Sequence, residues 1–300
     1  MLKTLLSLLS ALTLSMPAVN PAHAAEPLTL KASSPWNVDY ANERCRLART
    51  FGTGEQMVFL LMDQYAPSEY FRLTIAGKAL RTNLTKGDAG IQFGPAETEQ
   101  QLSYLFGNLG KHPALVFSSR ARIAQPSDAE LLAIKNRPDT EWVGLQPVSE
   151  ERKKAVKYMR IGKPLRKPIT LETGPMRAPL AALDKCIETL VASWGVDVEK
   201  HKYLSRDAKP LQSPGKWVVS SDYPVGMLSA GQPALVNFRL SIGPDGAPTG
   251  CYIQATTRPM EFDKAVCKSV MKRARFLPAL DAQGQPLASY YQNRVYFEIP

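Results

Sequence analysis

The chain has 300 residues, room for one to three domains, and a formal charge of +10. The last hundred residues hold 12 Lys and Arg against 7 Asp and Glu, so the basic excess is spread over the chain instead of gathered in a tail. That balance favours anionic partners such as acidic protein surfaces, lipid headgroups or cell-wall polymer, and it argues against nucleic acid, for which no recognition motif is present.

The N-terminus reads as an export signal. Lys3 precedes an apolar run from Leu5 to Met16, and Ala22-His23-Ala24 places small residues at −3 and −1, so residues 1–24 are expected to be removed and Ala25 to begin the mature chain. Pro17 and Pro21 cut the run short of the roughly 20 residues that span a bilayer, so no stable membrane span is expected after cleavage. For an exported chain of Gram-negative source the expected compartment is the periplasm. Four cysteines remain, Cys45, Cys186, Cys251 and Cys267, and in an exported chain an even count favours disulfides. Spacing alone leaves all three pairings open. A zinc site is the weaker alternative, because no C-x-x-C occurs and His112 and His201 lie far apart in sequence. No metal ligand and no cofactor is assigned.

Residues 25–205 read as a mostly antiparallel β domain. Cys45–Phe51 is strand-like. Met57–Gln64 is apolar on both faces, as in a covered central strand. Tyr70–Ile75 alternates, with Phe71, Leu73 and Ile75 on one side. From Arg81 to Lys111 the glycines at 87, 90, 94, 107 and 110 point to loops and bulged strands. Pro113–Ile123 reads as a strand. Ser127 and Glu130 match a capping box opening a helix with Leu131, Leu132 and Ile134, closed by Pro138. Trp142–Leu145 is a further strand candidate. The run Arg152, Lys153, Lys154, Lys157, Arg160, Lys163, Arg166 and Lys167 is a solvated surface or an anionic contact.

The strongest helix pattern is Pro179–Trp194, where Leu180, Leu183, Ile187, Leu190 and Trp194 form one stripe. Cys186 lies beside it, and Cys45 is the other cysteine of this domain, so a Cys45–Cys186 bridge is expected. Residues 206–215 read as a linker. In residues 216–300, Tyr223-Pro224 opens a helical turn ending near Gly231, and Leu235–Ile242 alternates cleanly. Gly243-Pro244-Asp245-Gly246 turns the chain back into a strand bearing Cys251 and Ile253. Phe262, Val266 and Val270 have helical spacing, and Tyr291–Ile299 closes as a strand. A three-stranded sheet covered by one helix is small, and a Cys251–Cys267 bridge would clamp it. The fold class is α+β throughout.

Tyr223-Pro224, Gly231, Asp245-Gly246, Phe262-Asp263-Lys264-Ala265, Arg273-Ala274-Arg275-Phe276-Leu277-Pro278-Ala279 and Gly284-Gln285-Pro286 together resemble the C-terminal domain of the TonB family over about 80 residues. The resemblance implies capture of a short segment of an outer-membrane receptor by strand addition, in proteins anchored in the inner membrane and driven by proton-motive force. This chain differs in its cleavable N-terminus, its lack of a long proline-rich spacer, its extra first domain, and Pro233-Ala234 where the family has a second glycine.

The leading expectation is therefore an exported, non-catalytic interaction module that binds an envelope protein or receptor peptide at the final strand, with Gln292, Arg294 and Tyr296 as contacts. The alternatives are a membrane-retained energy transducer, a cell-wall-binding assembly factor acting through the run Arg152–Lys167, and a hydrolase in the first domain using His112 near Ser118-Ser119 or Asp63 with Glu69. None of these polar groups has a diagnostic context.

Overall fold

The computed structural model describes residues 26–136, 146–256 and 259–299. The export signal, Pro138 and the strand expected over Trp142–Leu145 lie outside the described residues. No helix among the described residues is long and apolar enough to cross a membrane.

The first domain begins with β1 (Leu28–Lys31), β2 (Asn37–Ala41), β3 (Arg44–Phe51), β4 (Val58–Gln64) and β5 (Tyr70–Ala76). It continues with β6 (Lys86–Gly94), β7 (Gln100–Leu109), β8 (His112–Arg122), α1 (Asp128–Lys135) and α2 (Glu150–Ala155), and closes with β9 (Tyr158–Ile161), β10 (Ile169–Glu172), α3 (Arg177–Ser193) and α4 (Val198–His201). The ten strands form one sheet in the order β1-β10-β9-β6-β7-β8-β5-β4-β3-β2, antiparallel except for β1 beside β10. The sheet curls until its ends meet. Ala32, just past β1, bridges Phe51, and Gly52 N donates to Lys31 O at 2.8 Å. Val58, Leu60 and Met62 of β4 are fully buried and Leu61 on its other face nearly so, as expected of a covered central strand.

The glycine-rich stretch 81–111, expected as loops and bulged strands, contains two long strands, β6 and β7, paired without a register shift. The reason is tertiary. Ala89, Ile91 and Phe93 alternate into the core opposite Leu102 and Tyr104; Gly110 does mark the β7–β8 turn, with a positive φ of 58°, but Gly90 and Gly94 mark close approach. A Cβ on Gly90 would lie 2.4 Å from Glu99 Oε1, and one on Gly94 would lie 2.2 Å from the Tyr158 ring. Ser127 does cap α1, with Ser127 N donating to Glu130 Oε2 at 2.8 Å and Glu130 N donating to Ser127 Oγ at 3.2 Å. No residue of α1 is buried, so Leu131 and Leu132 stay exposed.

α3 forms because its apolar residues recur every three or four positions. Leu180, Leu183, Ile187 and Leu190 are buried and pack with β2 and β3 into one core. Cys45 on β3 and Cys186 on α3 are bridged, with Cα atoms 6.0 Å apart, and close 141 residues of sequence.

The second domain contains β11 (Lys209–Pro210), α5 (Val225–Ser229), β12 (Ala234–Ile242), β13 (Pro248–Thr256), α6 (Met260–Arg273), the short strands β14 (Phe276–Leu277), β15 (Ala279–Leu280) and β16 (Pro286–Leu287), and β17 (Ser289–Phe297). β13, β12 and β17 form an antiparallel sheet in that order. α6 covers one face, burying Phe262, Val266 and Val270 against Val236, Phe238, Leu240 and Ile242. Cys251 of β13 is bridged to Cys267 of α6, Cα to Cα 5.5 Å. Residues 206–215, expected as a linker, are tied down. β11 pairs with β14, Leu211 N donates to Arg275 O and Gln212 Nε2 to Arg273 O, each at 2.9 Å.

Candidate partner interface

The motif residues of the last domain bind one another. Gly246 has a positive φ of 79°, and a Cβ there would sit 2.0 Å from Phe276 O, so only glycine lets the Asp245-Gly246 turn press on the following strand. Phe276 N donates to Gly246 O at 3.0 Å. Phe276 packs on Trp217 and Tyr291, and Tyr223 packs between Phe262 and Phe297. Arg273 grips Asp222 with both terminal nitrogens, at 2.6 and 3.1 Å, and the guanidinium holds that carboxyl down at about 2. These residues build the frame. β17 pairs with β12 on one side and, like β13, is an outer strand of the sheet.

The polar face of the same sheet is not solvent. Asn237 and Arg239 alternate away from α6, yet are 8% and 1% exposed, because the first domain covers them. Arg239 donates through Nε and Nη2 to both oxygens of Glu43, at 2.8 and 2.7 Å, and its guanidinium lies 4.1 Å from the Trp194 ring and 4.2 Å from Tyr252. Arg72 donates to Asn237 Oδ1 at 2.6 Å. Tyr65 O accepts from Gln254 at 3.3 Å and from Gln292 at 2.7 Å. Tyr290 stacks on His201 and meets Trp194 edge-on, and His201 Nε2 lies 2.8 Å from Ser289 Oγ. Burial pushes the Tyr290 hydroxyl up and the His201 imidazole down. The sheet is thus sandwiched, with α6 on its apolar face and the curled sheet domain on its polar face.

The seam divides the three residues expected as partner contacts. Gln292 is engaged within the chain by Tyr65 O. Arg294 is exposed beside the seam, and Tyr296 is 62% exposed near the end of β17. Sequence reasoning missed Arg239, Asn237, Arg72 and Tyr290 as seam residues, since their pattern is that of any half-exposed strand. The basic run is not one patch either. Arg152 donates to both oxygens of Glu97 and Lys153 is buried beside Glu150, while Arg166 donates to Asn83. Lys154, Lys157, Arg160, Lys163 and Lys167 are exposed, but on a helix, the loop after it, a strand and the turn that follows.

The hydrolase candidates do not assemble. His112 opens β8 against Phe59, whereas Ser118 and Ser119 lie six and seven residues further along and bond to Ser103 of the neighbouring strand. At a rise of about 3.3 Å per residue that is roughly 20 Å. Asp63 is held by Arg46 through two bonds of 2.6 and 2.8 Å, and Glu69 accepts from Val148 N. Among the described residues no group of three or more His, Cys, Asp or Glu could hold a metal ion.

The second domain is thus a small helix-backed sheet whose outer strands are β13 and β17. Residues 219–299 match the family described as Gram-negative bacterial TonB protein C-terminal. Domains of that family are non-catalytic adaptors that mediate protein–protein contacts. No curated protein matches the chain.

Proposed function

We propose that the chain is an exported, periplasmic adaptor whose second domain captures an extended segment of an envelope protein or receptor by adding it to β17. One observation carries this reading: β17 is an edge strand, so the amides and carbonyls on its outer side are ready to pair with another chain. The family match over 219–299 and the signal-like run before Ala25 support it. Gln292 helps hold β17 against the first domain, which leaves Arg294 and Tyr296 as the residues beside an incoming strand.

Photocrosslinking in intact cells tests the reading. A crosslinker at Tyr296 should trap an envelope protein that a crosslinker at Tyr40, equally exposed but on the first domain, does not. Identical adducts from the two positions would sink it.

A further inference from the structure

The seam between the domains is not closed along its length. A cleft of about 710 Å³ opens in it, walled by Tyr70–Arg72 and Ser118–Arg120 of the first domain and by Gln292, Asn293 and Arg294 of β17. Successive strand residues point to opposite faces. Three in a row from β17 bring the cleft to the outer edge of that strand, while Asn237 of β12 and Gln254 of β13 extend it under the polar face of the sheet.

The charge of the cleft is unbalanced. Arg72 and Arg120 are direct cross-strand partners in the β5–β8 register, an arrangement in which like charges repel. Each guanidinium is set over a tyrosine ring, Arg72 over Tyr65 and Arg120 over Tyr70, both at 5.3 Å, and Arg72 is further oriented by Asn237. Arg294 lines the opposite wall. Asp63, the acidic residue of the lining, is already occupied by Arg46. Two oriented guanidiniums side by side suit a carboxylate, which accepts from both in its own plane.

We propose that this cleft receives an acidic side chain of the captured strand, so that the partner segment is an acidic extended peptide read jointly by the two domains. The inference rests on strand capture by β17. A peptide is favoured over an anionic glycan because the cleft reaches the outer edge of β17, where a backbone paired in register would turn alternate side chains under the polar face toward Arg72 and Arg120. On this reading the first domain supplies specificity, through Arg72 and Arg120, to a docking edge supplied by the second.

The test uses the mature chain and labelled heptapeptides alternating Thr and Val, with Asp, Asn or Lys at the centre, read by fluorescence anisotropy. The Asp peptide should bind at least about tenfold tighter than the Asn peptide, the effect of a charged hydrogen bond, and the preference should fall with salt. Arg120→Gln, which touches no seam contact, should erase the preference and leave the Asn peptide unchanged. Arg72→Gln should do the same and also loosen the seam. Equal binding of the Asp and Asn peptides would overturn the acidic site while leaving strand capture intact. Binding of no peptide would overturn both, as would wall-polymer fragments occupying the cleft in place of any peptide.

Discussion

Arg239 of the last domain and Glu43 of the first form a two-point ion pair across the seam, with donor–acceptor distances of 2.8 and 2.7 Å and the arginine side chain 2% exposed. A buried pair of this kind adds little over a well-packed apolar pair, but breaking it leaves a charge stranded. Arg239→Ala should therefore destabilise the chain by about 3–5 kcal/mol. In urea the single transition should split as the domains part. Arg239→Lys keeps the charge but loses the planar fork between Trp194 and Tyr252, and should recover less than half of the loss. A double-mutant cycle with Glu43→Gln that shows no coupling would contradict this account.

His201 predicts how the seam responds to acid. Burial lowers its pKa below the unfolded value of about 6.5 despite the nearby Asp207 and Asp197, so the folded chain holds it neutral. The unfolded chain takes up the proton first as pH falls. The stabilisation is therefore complete above pH ~6.5 and is lost as pH drops through the folded pKa. Urea midpoints of the native chain should decline below that pH, and His201→Gln should flatten the decline. An unchanged profile in the variant would rule His201 out as its source.

The two disulfides should differ in effect. Cys251–Cys267 closes 16 residues and Cys45–Cys186 closes 141. In the chain-entropy account, removing them by paired Cys→Ala changes costs about 3 and about 5 kcal/mol respectively. Urea titration of each double variant checks both the order and the size.

Gly246→Ala should cost more than the roughly 1–2 kcal/mol of placing an L-residue at positive φ. The new methyl group meets Phe276 O, so the turn must move away from β14. Thermal melting should show the loss, and Gly284→Ala is the control: its φ is also positive, 75°, but a Cβ there has open space around it.

Much of the fold was legible because local patterns and core packing agree. The stripe on α3, the two apolar faces of β4, the turn at 243–246 and the helix over Phe262–Arg273 each follow from spacing alone. Placement also pointed to both disulfide partners, since each cysteine lay next to a buried stripe. What sequence did not disclose depends on contacts between distant segments. Gly90 and Gly94 look like loop residues until Glu99 and Tyr158 are seen lying over them. Asn237 and Arg239 have the polar half of a strand pattern whether water or a second domain lies beyond, so nothing local distinguishes a wet face from a seam. Gln292 reads as an outward contact for the same reason. Arg72 and Arg120 lie 48 positions apart and meet only because β5 and β8 pair.

The strand at Lys209–Pro210 has a practical consequence. It pairs with Phe276–Leu277, Ser205 Oγ donates to Asp281 O, and Arg206 donates to Pro278 O. A fragment trimmed to residue 216 would strip these groups from its own scaffold and leave their partners bare. The smallest excisable piece therefore starts near Ser205, well ahead of the first residue of the family match.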